Sequence, residues 1–235
     1  MSQNKLNKFY FLHIPKTGGR FINMNIINPL RPLLEHKGIE VYPMGDNIYQ
    51  PNHHNWNTNF IDDNTYIMTI FRDPAKRTVS QFVETEGGSP DFKDKYNIDY
   101  FINWVKNTKY SKDFQSKCMF VNIPLEKTEE YDYDFKIDKN KLLEKISRIN
   151  LFLKHKTMTL SFCHNIQSKI INDLNIVTEK KLYPVNNKLF TEKISNDLSM
   201  QMFNKLNKNQ IDFLYENSSI DSDIYFNLRY NGLYE

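Results

Sequence analysis

Cysteine is almost missing from this chain. Its two cysteines, Cys118 and Cys163, show neither a CxxC spacing nor a nearby histidine pattern. That excludes a zinc site written into the sequence and argues against a disulfide, so both read as buried, inert thiols. No set of His, Cys, Asp and Glu has metal-ligand spacing, and no metal is expected. Long hydrophobic runs are absent as well. The apolar run near the N-terminus is bounded by His13 and Pro15, too short to span a bilayer and without a signal-peptide cleavage pattern. The expectation is a cytoplasmic protein with no membrane insertion. Nor is there a large excess of one charge. Lys and Arg number 31 against 28 Asp and Glu, a formal net charge of +3, which excludes a strongly basic nucleic-acid surface and confines any anion site to a local feature. Two phosphate-binding signatures, GxGxxG and GxxxxGK followed by Ser or Thr, do not occur. No internal repeat is present.

The 235 residues are 40% apolar, 14% aromatic and 25% charged, enough to bury one substantial core, so residues 1–235 are expected to form a single globular domain. Phe9 to Ile14 reads as a buried strand. An apolar stretch after Gly19 (Phe21, Ile22, Met24, Ile26, Ile27) predicts a helix that Pro29 and Pro32 should end or bend. Ile39 to Tyr42 is a short strand, followed by a long polar loop from about Pro43 to Asn64; loops of that length are often functional. TYIMTIF, residues 65 to 71, is a second buried strand, and Asp73 and Pro74 start a helix after it. Further on, Lys139 to Arg148 is helical and residues 149 to 155 form a strand. Phe162, Ile166, Ile170 and Leu174 mark an amphipathic helix, and one or two more helices lie near the C-terminus. Strands alternating with helices predict an α/β fold of the P-loop-like, three-layer kind, a central parallel sheet flanked by helices.

Ligands of such sheets bind beyond the carboxyl ends of the strands, and the turn 15-PKTGGR-20 falls there. Gly18 and Gly19 lack the Cβ atoms that would keep an anion off the backbone N–H groups, and the next helix adds its positive end. Lys16, Thr17 and Arg20 contribute an ammonium, a hydroxyl and a guanidinium. Alone, the glycines could equally serve a tight strand-to-helix turn. A second stretch, 72-RDPAKRTVSQF-82, places Arg72 at the end of the other strand and Ser80 eight residues later. Its plain alternative is a helix start with Asp73 as cap and Arg77 exposed. Two anion-suited turns on neighbouring strands suggest one ligand with two separated phosphates.

FLHIPKTGGRF together with TIFRDPAKRTVSQF resembles the sulfotransferases that use 3′-phosphoadenosine 5′-phosphosulfate (PAPS), and most closely their carbohydrate (heparan- and chondroitin-type) branch. The resemblance implies that the loop Lys16, Thr17, Gly18, Gly19, Arg20 and Phe21 binds the 5′-phosphosulfate, and that Arg72 and Ser80 bind the 3′-phosphate. Weaker echoes lie in DFQSKCMF, residues 113 to 120, and IDFLYE, residues 211 to 216. The chain departs from the family at Arg20, where Thr or Ser is usual. The function implied is transfer of a sulfuryl group to an acceptor hydroxyl or amine, most naturally on a carbohydrate, leaving adenosine 3′,5′-bisphosphate. Lys16 would neutralise the leaving phosphate. His53 or His54, in the loop 51-PNHHNW-56, would be the base, because the related enzymes carry a histidine there and its pKa suits the task. His13 reads as a packed, hydrogen-bonded residue; Glu84 and Glu86 as a solvated helix end, with a base or acceptor contact as the alternative; and Gln115 and Lys117 as a helix surface, with contact to an anionic acceptor as the alternative. A nucleotide kinase or NTPase with a divergent phosphate loop is the competing enzyme class, and a noncatalytic nucleotide-binding relative the competing binding class. The oligomeric state is not readable.

Overall fold

The computed structural model describes residues 6–42, 56, 58–87, 97–121, 135–155, 159–178 and 198–227, with Arg20 described in its backbone alone. Four strands, β1 (Lys8–Leu12), β2 (Glu40–Tyr42), β3 (Thr65–Phe71) and β4 (Leu151–Lys154), form one sheet in the order β2-β1-β3-β4. All three pairings are parallel. Every residue of β3 is buried, which is why the sequence reads there as a continuous apolar run rather than an alternating one.

Side chains alternate between the two faces of each strand. Phe9, Phe11, Tyr66, Met68, Ile70, Leu151 and Leu153 pack on one face with Ile22, Ile26, Ile27, Leu30 and Leu34 and with Cys163, Ile166 and Ile170. These partners come from the helical run α1 (Gly19–Ile22), a π-turn segment (Asn23–Ile27) and α2 (Asn28–His36), and from α7 (Leu160–Asp173). Tyr10, Leu12, Ile67, Phe71 and Phe152 face the other way, onto α5 (Phe114–Phe120), α6 (Lys139–Ser147) and α10 (Ser219–Asn227). The fold is therefore a three-layer α/β sandwich. A further cluster joins α3 (Pro74–Glu86) to α4 (Ile98–Asn107), α8 (Leu198–Phe203) and α9 (Lys208–Asn217). Both cysteines are buried, and neither is in a disulfide. Among the described residues no helix is long and apolar enough to cross a membrane.

Of the two outcomes the sequence suggested for Pro29 and Pro32, ending or bending the helix after Gly19, the first does not occur: the helix ends at neither proline. It continues to His36 because its geometry changes before the first proline. The Asn28 N–H reaches back to Asn23 O, five residues away, the bond of a π-turn. Pro29 has no N–H to offer Asn25 O. That carbonyl accepts from Gln167 Nε2 on α7 at 3.0 Å instead, so the orphaned acceptor is satisfied across the core.

Parallel order makes β1 special. The chain leaves β1 for β2 on one side and returns for β3 on the other, so the crossovers diverge beyond the C-terminal ends of β1 and β3. That crevice is where open α/β sheets bind ligands.

Candidate functional site

The two glycine- and arginine-bearing turns of the sequence meet in this crevice. Leu12 pairs with Thr69 in register, and Thr69 Oγ1 donates to Leu12 O at 2.8 Å, so β3 runs two residues past the end of β1 and delivers Arg72 beside the PKTGG loop. Arg72 Nη1 donates to Lys16 O at 3.0 Å. Arg77 Nε, one helical turn into α3, lies 3.4 Å from Pro15 O. Consecutive loop carbonyls are thus turned toward the RDP motif. A trans peptide points its N–H opposite its C=O, so the N–H groups of Lys16 and Thr17 are aimed away from the arginines. Among the described residues the N–H groups of Thr17, Gly18 and Gly19 meet no carbonyl or side-chain acceptor. Backbone N–H groups left open in this way are suited to an anion.

Backbone geometry supports the same assignment. Lys16 has φ +65° and Gly18 φ +94°; glycine occupies that region freely, lysine only under constraint. A Cβ at Gly19 would stand 1.8 Å from His13 Cδ2 and 1.9 Å from Nε2. His13 is buried and stacked on Phe11, as a packed residue should be, so the loop lies directly on a packed ring. Thr17 is also buried, and its hydroxyl donates to Ile14 O at 2.8 Å. Its hydroxyl proton, which the sequence suggested as a ligand donor, is therefore already committed to Ile14 O. Phe21 packs against the core beneath the loop.

Lys16 Nζ forms an ion pair with Glu84 Oε1 at 2.9 Å. Glu84 is thus not merely a solvated helix end. Glu86 accepts from Tyr100 at 3.0 Å. Ser80 is buried in α3, two turns beyond Arg72. Asp73 caps α3 by accepting from the Lys76 N–H, as the sequence indicated, and its second oxygen accepts from Tyr215. His53 and His54 lie outside the described residues.

Further residues around the site, Arg77, Gln115 and Asp221 among them, were misread or missed from sequence. Arg77 is not exposed; it is 1% accessible, bonded to Tyr110 O and Gln81 Oε1 as well as Pro15 O, with its guanidinium 4.2 Å over the Phe114 ring. Burial lowers its pKa to about 10, so it remains a cation near neutrality. Gln115 and Lys117 are not a helix surface but buried. Gln115 clamps the Arg72 backbone from both sides, accepting from Arg72 N at 2.9 Å and donating to Arg72 O at 2.9 Å. Asp221 in turn holds Gln115, accepting from the N–H groups of Gln115 and Ser116 at 3.0 and 2.8 Å, while Asp113 accepts from the N–H groups of Ile220 and Asp221. Each of α5 and α10 is capped by an aspartate belonging to the other's end. Only the DFQ segment hinted at this in the sequence.

Burial and the neighbouring Asp113 raise the Asp221 carboxyl to about 6. The folded state therefore holds this proton over a range where the unfolded chain has released it, and stability is lost as pH rises through the folded pKa. In urea unfolding at a series of pH values, wild type should lose up to about 3 kcal/mol relative to Asp221→Asn between pH ~4 and ~6, with no further relative change above that. A pH-independent difference between the two proteins would contradict this assignment.

A surface groove of about 430 Å³ runs between α4 and α9, past Asn103, Lys106, Gln210 and Phe213, and none of the motif residues lines it. Among the described residues no three of His, Cys, Asp or Glu converge as metal ligands do. No protein-family model, no curated protein and no solved structure matches this chain.

Proposed function

We propose that this protein is a sulfotransferase that moves a sulfuryl group from PAPS to an acceptor hydroxyl, with a carbohydrate as the acceptor class that the resemblance implies. The observation that carries the reading is the meeting of the PKTGG loop and the RDP arginine, 56 residues apart in sequence and joined by the Arg72 to Lys16 O bond. The residues fit a ligand with two separated anionic groups: N–H groups at Thr17 to Gly19 that meet no acceptor among the described residues, and a guanidinium at the end of the adjacent strand.

The donor supplies a sulfur atom already bonded to a good leaving phosphate. The acceptor oxygen forms a bond to that sulfur as the bond to the phosphate oxygen breaks, and the hydroxyl proton passes to a base. The chain's task is positioning and charge neutralisation. The loop N–H groups orient the phosphosulfate, and the Lys16 ammonium, released from Glu84, meets the charge developing on the leaving oxygen. Arg72, its backbone clamped by Gln115, receives the second phosphate together with Ser80. His53 or His54 takes the proton.

Calorimetric titration with adenosine 3′,5′-bisphosphate, beside magnesium-ATP, tests the reading. The bisphosphate should bind in preference to ATP, and Arg72→Ala should weaken it at least about 30-fold, the effect of removing one partner of a buried charge pair. Preference for magnesium-ATP would move the assignment to a kinase or NTPase. Bisphosphate binding without turnover on any acceptor would leave a noncatalytic nucleotide-binding protein.

A further inference from the structure

The C-terminal helices α9 and α10 hold the RDP turn from two sides. From α9, the Tyr215 hydroxyl donates to Asp73 Oδ2 at 2.9 Å, on the residue that follows Arg72. From α10, Asp221 accepts from the N–H groups of Gln115 and Ser116 at 3.0 and 2.8 Å and from the Ser116 hydroxyl as well. Gln115 carries this hold to the strand end, since its side chain bonds both N and O of Arg72. The corner between the two helices is pinned too. Ser218 is buried and donates its hydroxyl to Ser111 O at 2.7 Å, while Asn217 Nδ2 donates to Ser111 Oγ at 3.1 Å. α9 packs with α3, the helix that Asp73 caps, and α10 packs with α5, the helix that carries Gln115. The helical hairpin therefore touches both elements that fix Arg72.

Each contact bears on the guanidinium. Asp73 places a carboxylate one residue from it, and both charges face one region: burial and then Asp73 raise the pKa of the Tyr225 hydroxyl, while Arg72 lowers it. A carboxylate so placed competes with any ligand anion for the guanidinium. Here its oxygens are drawn elsewhere, Oδ1 to the Lys76 N–H at the start of α3 and Oδ2 to Tyr215, where a helix N-terminus suits a negative charge. Gln115 supplies the other constraint. With N and O of Arg72 bonded to one side-chain amide, the strand end is fixed, and the guanidinium departs from it in the direction that brings Nη1 to 3.0 Å from Lys16 O. Charge held in place binds more tightly than charge that must first be ordered.

We propose that Tyr215 and Asp221 are positioning residues, which act through Asp73 and Gln115 to keep the Arg72 guanidinium available to an anionic group of the ligand and so couple the seating of the C-terminal hairpin to the affinity of the site. The inference rests on the reading that Arg72 receives such a group, and extends it to two residues that act through others.

A double-mutant cycle on the full chain tests it, with adenosine 3′,5′-bisphosphate and inorganic sulfate as calorimetric probes. Tyr215→Phe removes one hydroxyl and keeps the ring that packs edge-on to Phe226. It should fold as wild type does and weaken binding about 3- to 10-fold, the order of one hydrogen bond. In the Arg72→Ala background the same change should have no effect, because the hydroxyl acts through Arg72. Asp221→Asn, whose amide offers one acceptor oxygen where the carboxylate offers two, should behave alike; Tyr215→Phe carries the test if that variant folds poorly. Asn207→Ala, which removes the capping box at the far start of α9, should lower stability and leave affinity within about twofold. Equal losses with and without Arg72, or a loss in Asn207→Ala as large as in the other two, would reduce the contacts to structural ones and overturn the proposal. Affinity unchanged by Tyr215→Phe or by Asp221→Asn would remove that residue's role. Sulfate binding that follows the cycle, with no bisphosphate binding, would uphold the positioning and remove the nucleotide donor. No binding of either probe to wild type would remove the reading that Arg72 receives an anion, and the proposal with it.

Discussion

Lys16→Gly should remain about as stable as wild type while turnover falls by two to three orders of magnitude. Lys16 holds φ +65°, a conformation that costs an L-residue about 1–2 kcal/mol and glycine almost nothing. Glycine recovers that strain but loses about 0.5–1 kcal/mol to the greater freedom of the unfolded chain. The Glu84 pair at the surface adds little on either side, so the two backbone effects nearly cancel and urea unfolding should show a change within about 1 kcal/mol. Turnover has no such compensation. Removing one preorganised group that stabilises developing charge typically costs about 10²–10³ in rate. A backbone held in an unfavourable conformation by a residue that glycine could replace at no structural loss is the mark of a side chain kept for its chemistry. Lys16→Ala should lose turnover equally and keep the strain. Measured in the same assay, one of His53→Ala and His54→Ala should fall about 10²-fold or more, as loss of a general base does. Near-normal turnover in both Lys16 variants, with binding intact, would end the role proposed for the ammonium; normal rates in both histidine variants would end the role proposed for the base.

Gly19→Ala should destabilise the fold by about 3 kcal/mol or more, the upper range for overpacking a fixed site. At the first residue of a helix, alanine for glycine ordinarily stabilises by about 0.5–1 kcal/mol. Here the sign reverses. The new methyl would overlap the His13 ring at 1.8–1.9 Å, and that ring is buried and stacked on Phe11 with centroids 5.5 Å apart. Either the ring leaves its place in the core or the loop lifts, and lifting reorients the Thr17 to Gly19 N–H groups. Loss of bisphosphate binding should accompany the loss of stability. The double variant His13→Ala/Gly19→Ala should be less destabilised than the sum of its parts by about 0.5–3 kcal/mol, the coupling expected of residues in contact. Additive effects, or a Gly19→Ala protein as stable as wild type, would show that the loop does not rest on His13.

Much of the fold was legible because the relevant signals are local. β3 coincides with TYIMTIF because a strand buried on both faces must be apolar throughout. α3 begins where the sequence said, since an aspartate cap followed by proline is favourable only at a helix start. Of the four-residue recurrence Phe162, Ile166, Ile170 and Leu174, Ile166 and Ile170 are buried on α7, and Phe162 and Leu174 pack against the same core. Where the reading failed, a distant group had changed the local rule. Pro29 did not stop its helix because Gln167 supplies the missing donor from 142 residues away in sequence. Arg77 and Gln115, polar and seemingly exposed, are buried because loop carbonyls and the Arg72 backbone give them partners.

The sequence by itself thus determined the alternation of strands and helices, the parallel sheet it builds, and the two turns suited to anions. Each follows from spacing, capping and backbone freedom within a few residues. Only the tertiary structure decided that β1 and β3 are neighbours at the crossover point, that Glu84 faces Lys16, that Asp113 and Asp221 cap each other's helices, and that Tyr215 holds Asp73 beside Arg72. These are contacts across tens of residues. They are set by which faces must be buried together and which polar groups then require a partner, and no local periodicity encodes them.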